Sequence, residues 1–348
     1  MIGTGSISTA HIEAYKKLKN VEVLAACSTS RERAERFAEK YQIPYAFTDY
    51  HEMLKINEID AVSVTTWNNV HAPASVAALK AGKHVLCEKP SALNALEDRQ
   101  MAEVAEKSGK LLMMGLSRRF SAKTIALKQF IDAGALGKVY YAKTGYIRRW
   151  GNPGGWFSIK ERSGGGPVID LGVHMIDLVW FLTGKPKVVS VSASTFNYLG
   201  MKPDIKGLSK YCSANYSDEH DVEDGAAAII RFAGGLTLLL ETSWVQHIKE
   251  DSLYLELYGD KAGAKLEPEI ELYESRQNYL VNVRPVIEES FNDFQHMFDE
   301  EIEHFIHCIT DNIPCLSPAH DGVELMKIID AIYESARLGH EVMVDLTE

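Results

Sequence analysis

The sequence is short of positive charge: 37 Lys and Arg stand against 48 Asp and Glu, a formal net charge of −11. That deficit excludes nucleic acid as an expected partner, since phosphate recognition needs a basic face. Long apolar runs are missing too. Leu238-Leu239-Leu240 is typical of what there is, against the roughly 20 residues that span a bilayer, so no membrane partner is expected. No basic segment followed by an apolar stretch opens the chain, and no secretory leader is expected. The five cysteines (Cys27, Cys87, Cys212, Cys308 and Cys315) contain no C-x-x-C pair, so reduced thiols in a cytoplasmic protein are the simplest reading. His296, His304, His307 and Cys308 stand close together in sequence but lack a matching ligand cluster, and no metal is expected. Internal repeats and low-complexity tracts are absent.

What is present has the composition of a globular protein: 348 residues, 46% hydrophobic and 24% charged, enough for two domains. Up to about residue 118, short apolar runs (Val21–Ala26, Ala61–Thr65, Val85–Cys87, Leu111–Met114) alternate with amphipathic stretches at Thr9–Leu18, Arg31–Tyr41, Ala72–Ala81 and Ala95–Ser108. The alternation predicts a doubly wound parallel sheet whose strands are covered on both faces. Only Met1 and Ile2 precede the first glycine turn, short for a strand of about five residues, so part of that strand is expected upstream of this numbering. From about 136 the pattern lengthens into β segments at Val139–Arg149, Val188–Asn197, Ala226–Phe232, Leu236–Trp244 and Leu253–Tyr258. These predict a large open, mainly antiparallel sheet. Tyr198–Ser217 reads as a long polar loop, Gly166–Leu182 as a helix, and two helices (Asp293–Thr310, Ala319–Leu338) with a short strand at Glu341–Val344 close the chain. The expected division is a dinucleotide-binding domain over 1–118 and a substrate and oligomerisation domain over 119–348.

Gly3-Thr4-Gly5-Ser6-Ile7-Ser8 sits at the first strand-to-helix junction and fits G-x-G-x-x-G/A with Ser8 in the third place. Gly3 permits the tight turn. Gly5 clears space for a pyrophosphate, and the amides around Ser6 and Ile7 open the helix toward its charge. An ordinary glycine turn would share the pattern, but the position favours a dinucleotide. After the second strand comes Ser28-Thr29-Ser30-Arg31-Glu32-Arg33. No carboxylate stands where a free ribose 2′-hydroxyl would be held, whereas hydroxyls and guanidinium groups suit a 2′-phosphate. NADP is therefore expected ahead of NAD, though Ser28 or Ser30 also suits a helix N-cap.

Thr66-Trp67-Asn68-Asn69-Val70-His71, Ala81-Gly82-Lys83-His84-Val85-Leu86-Cys87-Glu88-Lys89-Pro90 and Asp170-Leu171-Gly172-Val173-His174 resemble the Gfo/Idh/MocA family in order and spacing over essentially the whole chain. The resemblance implies a Rossmann domain followed by an α/β domain with a large open sheet, oxidation or reduction of hydroxyls and carbonyls on sugars, cyclitols and polyols, and a homodimer or homotetramer formed through the outer sheet face. It carries Thr66, Asn68, His71, Glu88 and Lys89 to the cofactor side, and Ser28 and Arg33 to the 2′-phosphate. Trp67 departs from the family's usual proline.

Hydride transfer needs a group to move the hydroxyl proton and donors to stabilise the developing alkoxide. Lys89, past the end of a parallel strand, can polarise the substrate oxygen; a surface pair with Glu88 is the bland reading. Asp170 and His174 are four apart, which puts both on one helical face. His174 can move the proton, and Asp170 can orient it or bind a hydroxyl, a task Asp177 could share. Arg148 and Trp156, in a loop rich in aromatics and glycine, suit a sugar face, or simply a packed loop. Arg118 and Arg119 touch cofactor or mark the crossover. The reading is an NADP(H)-preferring sugar or polyol oxidoreductase with Lys89, Asp170 and His174 catalytic. The rivals are an NAD-containing glycosidase of the same fold and a non-catalytic dinucleotide-sensing regulator.

Overall fold

A computed structural model describes residues 1–200, 219–288 and 294–344. Beyond Gly200, the loop expected at Tyr198–Ser217 lies outside these. The chain forms two units, Met1–Phe120 with Ser290–Met326, and Ser121–Glu289 with Lys327–Glu348. The boundary thus differs from a single cut at 118/119. The late helix Phe294–Thr310 buries Phe298, Ile302 and Phe305, and the last two join Tyr15, Leu86, Met113 and Phe120 in one core. An apolar stripe on a helix must find a core, and this one finds the first unit's.

In the first unit, Ala61–Val64, His84–Glu88 and Leu112–Gly115 pair in parallel, and Ala25–Cys27 pairs in parallel with Tyr45–Phe47. Ile2 bridges the two groups, paired with Cys27 on one side and Val64 on the other. Its amide donates to Ser63 O at 2.8 Å, and its carbonyl accepts from Thr65 N at 2.8 Å. The short first strand is therefore a single bridging residue at the sheet's centre. Helices Arg31–Tyr41 and Ala95–Ser108 begin where Ser30 and Asn94 side chains accept the amides of Arg33 and Glu97, the usual N-cap arrangement. The helix expected from Ala72 begins earlier, at Asn68, and carries Pro73 inside it.

The arginines at the crossover are not equivalent. Arg119 is fully buried, donates to Leu316 O at 2.7 Å and pairs with Asp321 at 2.5 Å. It braces the first unit rather than facing a cofactor. Removing one partner of such a buried pair costs about 3–5 kcal/mol.

The second unit holds a nine-stranded sheet in the order Tyr279–Val283, Glu271–Arg276, Ala262–Glu267, Ser252–Gly259, Val139–Ile147, Thr237–Ser243, Gly225–Phe232, Val188–Phe196, Val342–Met343. Every neighbouring pair is antiparallel except Val139–Ile147 with Thr237–Ser243. The first three strands in that order were not legible as strands. Charged residues interrupt Ala262–Glu267 and Glu271–Arg276, and Tyr279–Val283, though apolar, has no buried residue.

The helix expected over Gly166–Leu182 is not uniform. Val168–Gly172 forms a wide π turn, and Val173–Leu182 continues as α-helix. Hydropathy alone gives Lys160–Leu182 the length and apolar character of a membrane span, but 89% of its most apolar 18-residue stretch is buried inside the protein. It is a core helix on the large sheet.

Candidate active site

The first unit carries a dinucleotide cradle. Gly3 has φ +106°, and a Cβ there would lie 2.5 Å from Thr65 O, so only glycine fits. A Cβ on Gly5 would meet nothing within 4 Å, which leaves the space above it clear. Gly5 is the N-cap of Ser6–Tyr15, and no side chain caps that helix. Ser8 turns its hydroxyl back onto Gly5 O. An open space at a helix N-terminus without a side-chain cap is what a pyrophosphate needs, so these residues fit the dinucleotide.

At the end of the second strand, Ser28 N donates to Phe47 O at 3.1 Å. Ser30, not Ser28, is the helix N-cap. Arg31 and Arg36 lie 3.9 Å from Glu35 and Glu32. Arg33 is half-buried and makes no ion pair among the described residues.

Lys89 is held from beneath by a buried acid. Glu88 accepts the Lys89 amide at 3.1 Å through one carboxylate oxygen and contacts His11 Nε2 at 2.8 Å through the other. Burial pushes the Glu88 pKa up, but the His11 bond, with Lys89 and His71 nearby, outweighs it and holds the carboxyl below its usual range. So Glu88 does not pair with the Lys89 side chain at the surface; it belongs to the interior. Lys89 itself is half-buried, before a cis bond to Pro90. His71 places Nδ1 2.7 Å from Pro90 O and Nε2 3.1 Å from Thr66 O. It ties the Thr66 loop to the Lys89 turn and is not a helix cap. Burial pushes its pKa down, and Asn68 is buried beside it at the helix start. Gly3, Thr66, His71, Glu88 and Lys89 thus share one neighbourhood. His11 was missed in the sequence; its only signal was a histidine on a core-facing helix.

In the second unit, every residue from Gly165 to Leu182 is buried except Asp170 and His174. Asp177, the alternative partner, is 1% exposed. Trp244 Nε1 donates to Asp170 Oδ2 at 2.9 Å, and Thr242 Oγ1 donates to Pro167 O at 3.1 Å. The π turn, a form frequent at functional sites, is where Asp170 sits. Neither Trp244 nor the turn was legible from spacing.

Arg148 lies near this acid. Burial works against its charge, but Tyr146, with the Asp170 and Asp251 carboxylates, raises its pKa. It donates to Gly151 O at 3.1 Å and covers the Tyr146 ring at 5.2 Å. Trp156 stacks on Phe157 with ring centroids 3.9 Å apart. Asn152 accepts the Gly154 amide at 2.9 Å. The loop is internally packed through these contacts.

Two other clusters gather ligand-type atoms within 4.8 Å: His11, Glu88 and Glu301, and His304, Cys308 and Cys315. Cys315, seven residues beyond Cys308, is the partner that sequence spacing did not suggest. In the second group the His304 Nε2 lone pair already accepts the Leu316 amide at 2.9 Å. Burial pushes the Cys315 thiol up to about 12 and holds His304 down. The trio reads as a brace between the late helix and the segment after it.

Comparison with known proteins agrees with this geometry. Residues 1–116 match the model of an oxidoreductase family with an NAD-binding Rossmann fold, and residues 128–344 match its C-terminal alpha/beta domain. D-glucoside 3-dehydrogenase of Escherichia coli K12 is 34% identical over 345 residues, covering 98% of this chain and 96% of that protein. Inositol 2-dehydrogenase of Salmonella typhimurium LT2 is 24% identical, covering 99% and 96%. A levoglucosan dehydrogenase solved with NADH and L-sorbose superposes with a TM-score of 0.86 at 22% identity, covering 99% and 97%. A glycine cradle on one unit, an acid and histidine on the other, and family matches across both leave one assignment: the chain belongs to the Gfo/Idh/MocA family of NAD-binding oxidoreductases.

Proposed function

We propose that the protein oxidises or reduces a ring carbon of a sugar, cyclitol or related polyol, with the hydroxyl of a D-glucoside as the first candidate and NADP(H) preferred over NAD(H). One observation carries the site assignment. On a helix buried from end to end, only an acid and a histidine four residues apart remain partly exposed, and buried polar side chains without a task are costly to keep. The nicotinamide, when bound, supplies or accepts the hydride. His174 moves the hydroxyl proton, Asp170 orients it or binds a neighbouring hydroxyl, and Lys89 stabilises the alkoxide. Arg148 and Trp156 bind the sugar face. The glucoside assignment rests on the name of the 34% identical relative.

NADP preference is supported by Ser28, which caps nothing, and by Arg33, the arginine of that helix start that makes no ion pair among the described residues. A guanidinium so placed suits a phosphate. The protein is further proposed to be cytoplasmic and to form a homodimer or homotetramer. Ile229 and Tyr273, exposed on the same face of the large sheet, support pairing through that face.

The test is a fluorescence titration with NADPH and NADH, followed by methyl D-glucosides, inositols and their keto forms added to the tighter complex. Tighter NADPH binding with turnover of one class supports the reading. Nucleotide binding without turnover of any class would sink the enzymatic part, and a cofactor that cycles without net reduction would favour the glycosidase.

A further inference from the structure

The glycines ahead of Asp170 pack against two polar side chains from distant parts of the chain. Glu223, just before the strand Gly225–Phe232, is buried. One of its carboxylate oxygens accepts Gly166 N at 2.9 Å; the other accepts Val168 N at 3.1 Å and the Tyr333 hydroxyl at 3.0 Å. The amides of Gly166 and Val168 open the turn that carries Asp170, and Asp170 N in turn donates to Gly166 O at 3.1 Å. An acid at that end satisfies donors the helix leaves orphaned and favours the local dipole. The fit is close on both sides. A Cβ on Gly165 would stand 1.9 Å from the Tyr333 hydroxyl, and one on Gly166 would stand 2.0 Å from Glu223 O. No cation accompanies Glu223 in these contacts; three donors hold it.

We propose that Glu223, with Tyr333, is a positioning residue of the reaction: its carboxylate fixes the start of the π turn and thereby the presentation of Asp170 and His174. The proposal rests on the assignment of those two as the acting groups. A turn held by two amide bonds to one carboxylate has a defined starting point, and the wide turn that follows sets the rotation of everything after it. Glutamine cannot serve as well, because its amide nitrogen would face an N–H where a carboxylate oxygen accepts one. Small displacements of groups in a reacting constellation are expensive, about 10²-fold for 1 Å.

The experiment uses the full-length protein as wild type, E223Q, Y333F and the double variant. Amide hydrogen exchange over residues 164–174 is followed together with NADP-coupled oxidation of methyl D-glucoside, with rates expressed per NADPH site titrated. The expected result is faster exchange confined to that segment. It is accompanied by a kcat loss of about 10-fold in Y333F and about 100-fold in E223Q, with KM and NADPH affinity near wild type. The double variant is expected to be no worse than E223Q, because the two act as one unit. A merely structural role would lower the number of titratable sites and leave kcat per site unchanged, and that result overturns the proposal. Unchanged exchange at Gly166 and Val168 in both variants overturns it as well. The underlying site assignment is checked apart with D170N and H174Q: full activity in both removes the assignment, while loss in these two with near-wild-type kcat in E223Q and Y333F removes only the proposal.

Discussion

The indole N–H of Trp244 donates to the Asp170 carboxylate at 2.9 Å, from a side chain that is completely buried. The Trp244 amide is itself anchored on Asp224 O at 3.0 Å. The acid is therefore aimed by a donor that cannot swing away. Replacing Trp244 with Phe deletes this donor, and a hydrogen bond to a charged group contributes about 1.5–3 kcal/mol. The expected outcome is a lower Tm with a kcat reduced about 10-fold or more and nucleotide affinity unchanged, read by thermal unfolding and steady-state kinetics. Wild-type kcat in a folded Trp244→Phe protein would detach Asp170 from the reaction.

The two glycines of the cradle should part company. Gly3→Ala forces a Cβ to within 2.5 Å of Thr65 O at a φ of +106°, and the first unit should fold poorly or not at all. Gly5 has φ −80° and open space around its would-be Cβ. Gly5→Ala should therefore keep its Tm while losing nucleotide affinity, because the methyl occupies ground the pyrophosphate needs. Equal effects of the two substitutions on stability would contradict this division of labour.

Arg33 offers a test of cofactor choice that leaves the fold alone. Its backbone caps on Ser30 at 3.4 Å, so Arg33→Ala keeps the helix start and removes only the guanidinium. NADPH affinity should fall by 10-fold or more, a change of about 1.4 kcal/mol or above, while NADH affinity stays put. Parallel losses for both nucleotides would end the NADP reading.

Stability should decline on mild acidification. Burial holds the His71 pKa below its ordinary value of 6.5, and His84 and His304 are lowered in the same way. The unfolded chain then binds protons that the folded one refuses. The stabilisation is present above about pH 6.5 and is lost as pH falls from there through the folded-state values. Urea unfolding at pH 7.5 and 5.5 should show the drop, and His71→Gln should flatten part of it, leaving the shares of His84 and His304. A slope unchanged by His71→Gln would show that this ring does not titrate as its burial requires.

Much of the fold was legible because helix and strand periodicity is a local property. Arg31–Tyr41, Ala95–Ser108 and Ala319–Leu338 coincide with their expected bounds, since caps and apolar spacing lie in the same few residues. The strands Glu271–Arg276 and Tyr279–Val283 escaped because the first is mostly polar and charged and the second, though apolar, is short and has no buried residue, so neither shows an alternation imposed by a buried face. At the site, Gly3, Lys89, Asp170 and His174 stood out through motif and spacing. Trp244, His11, Glu223 and Tyr333 could not, because each acts through a contact far away in sequence. The π turn was hidden for a related reason: it depends on amides taken up by Glu223, 57 residues from Gly166.

The return of residues Ser290–Met326 to the first unit has a consequence for synthesis. Arg119 is buried against Leu316 and Asp321, and Met114 exchanges backbone and hydroxyl bonds with Ser317. The nucleotide-binding segment leaves the ribosome ahead of the large sheet, yet it lacks its own late helix and the partner of its buried arginine until residues 294–321 have emerged. Its nascent form waits with an apolar flank and a charge uncovered, while the large sheet between has already been made. Stalled or truncated products ending before residue 294 are thus expected to be recognised by chaperones and degraded, and the nucleotide site to mature last.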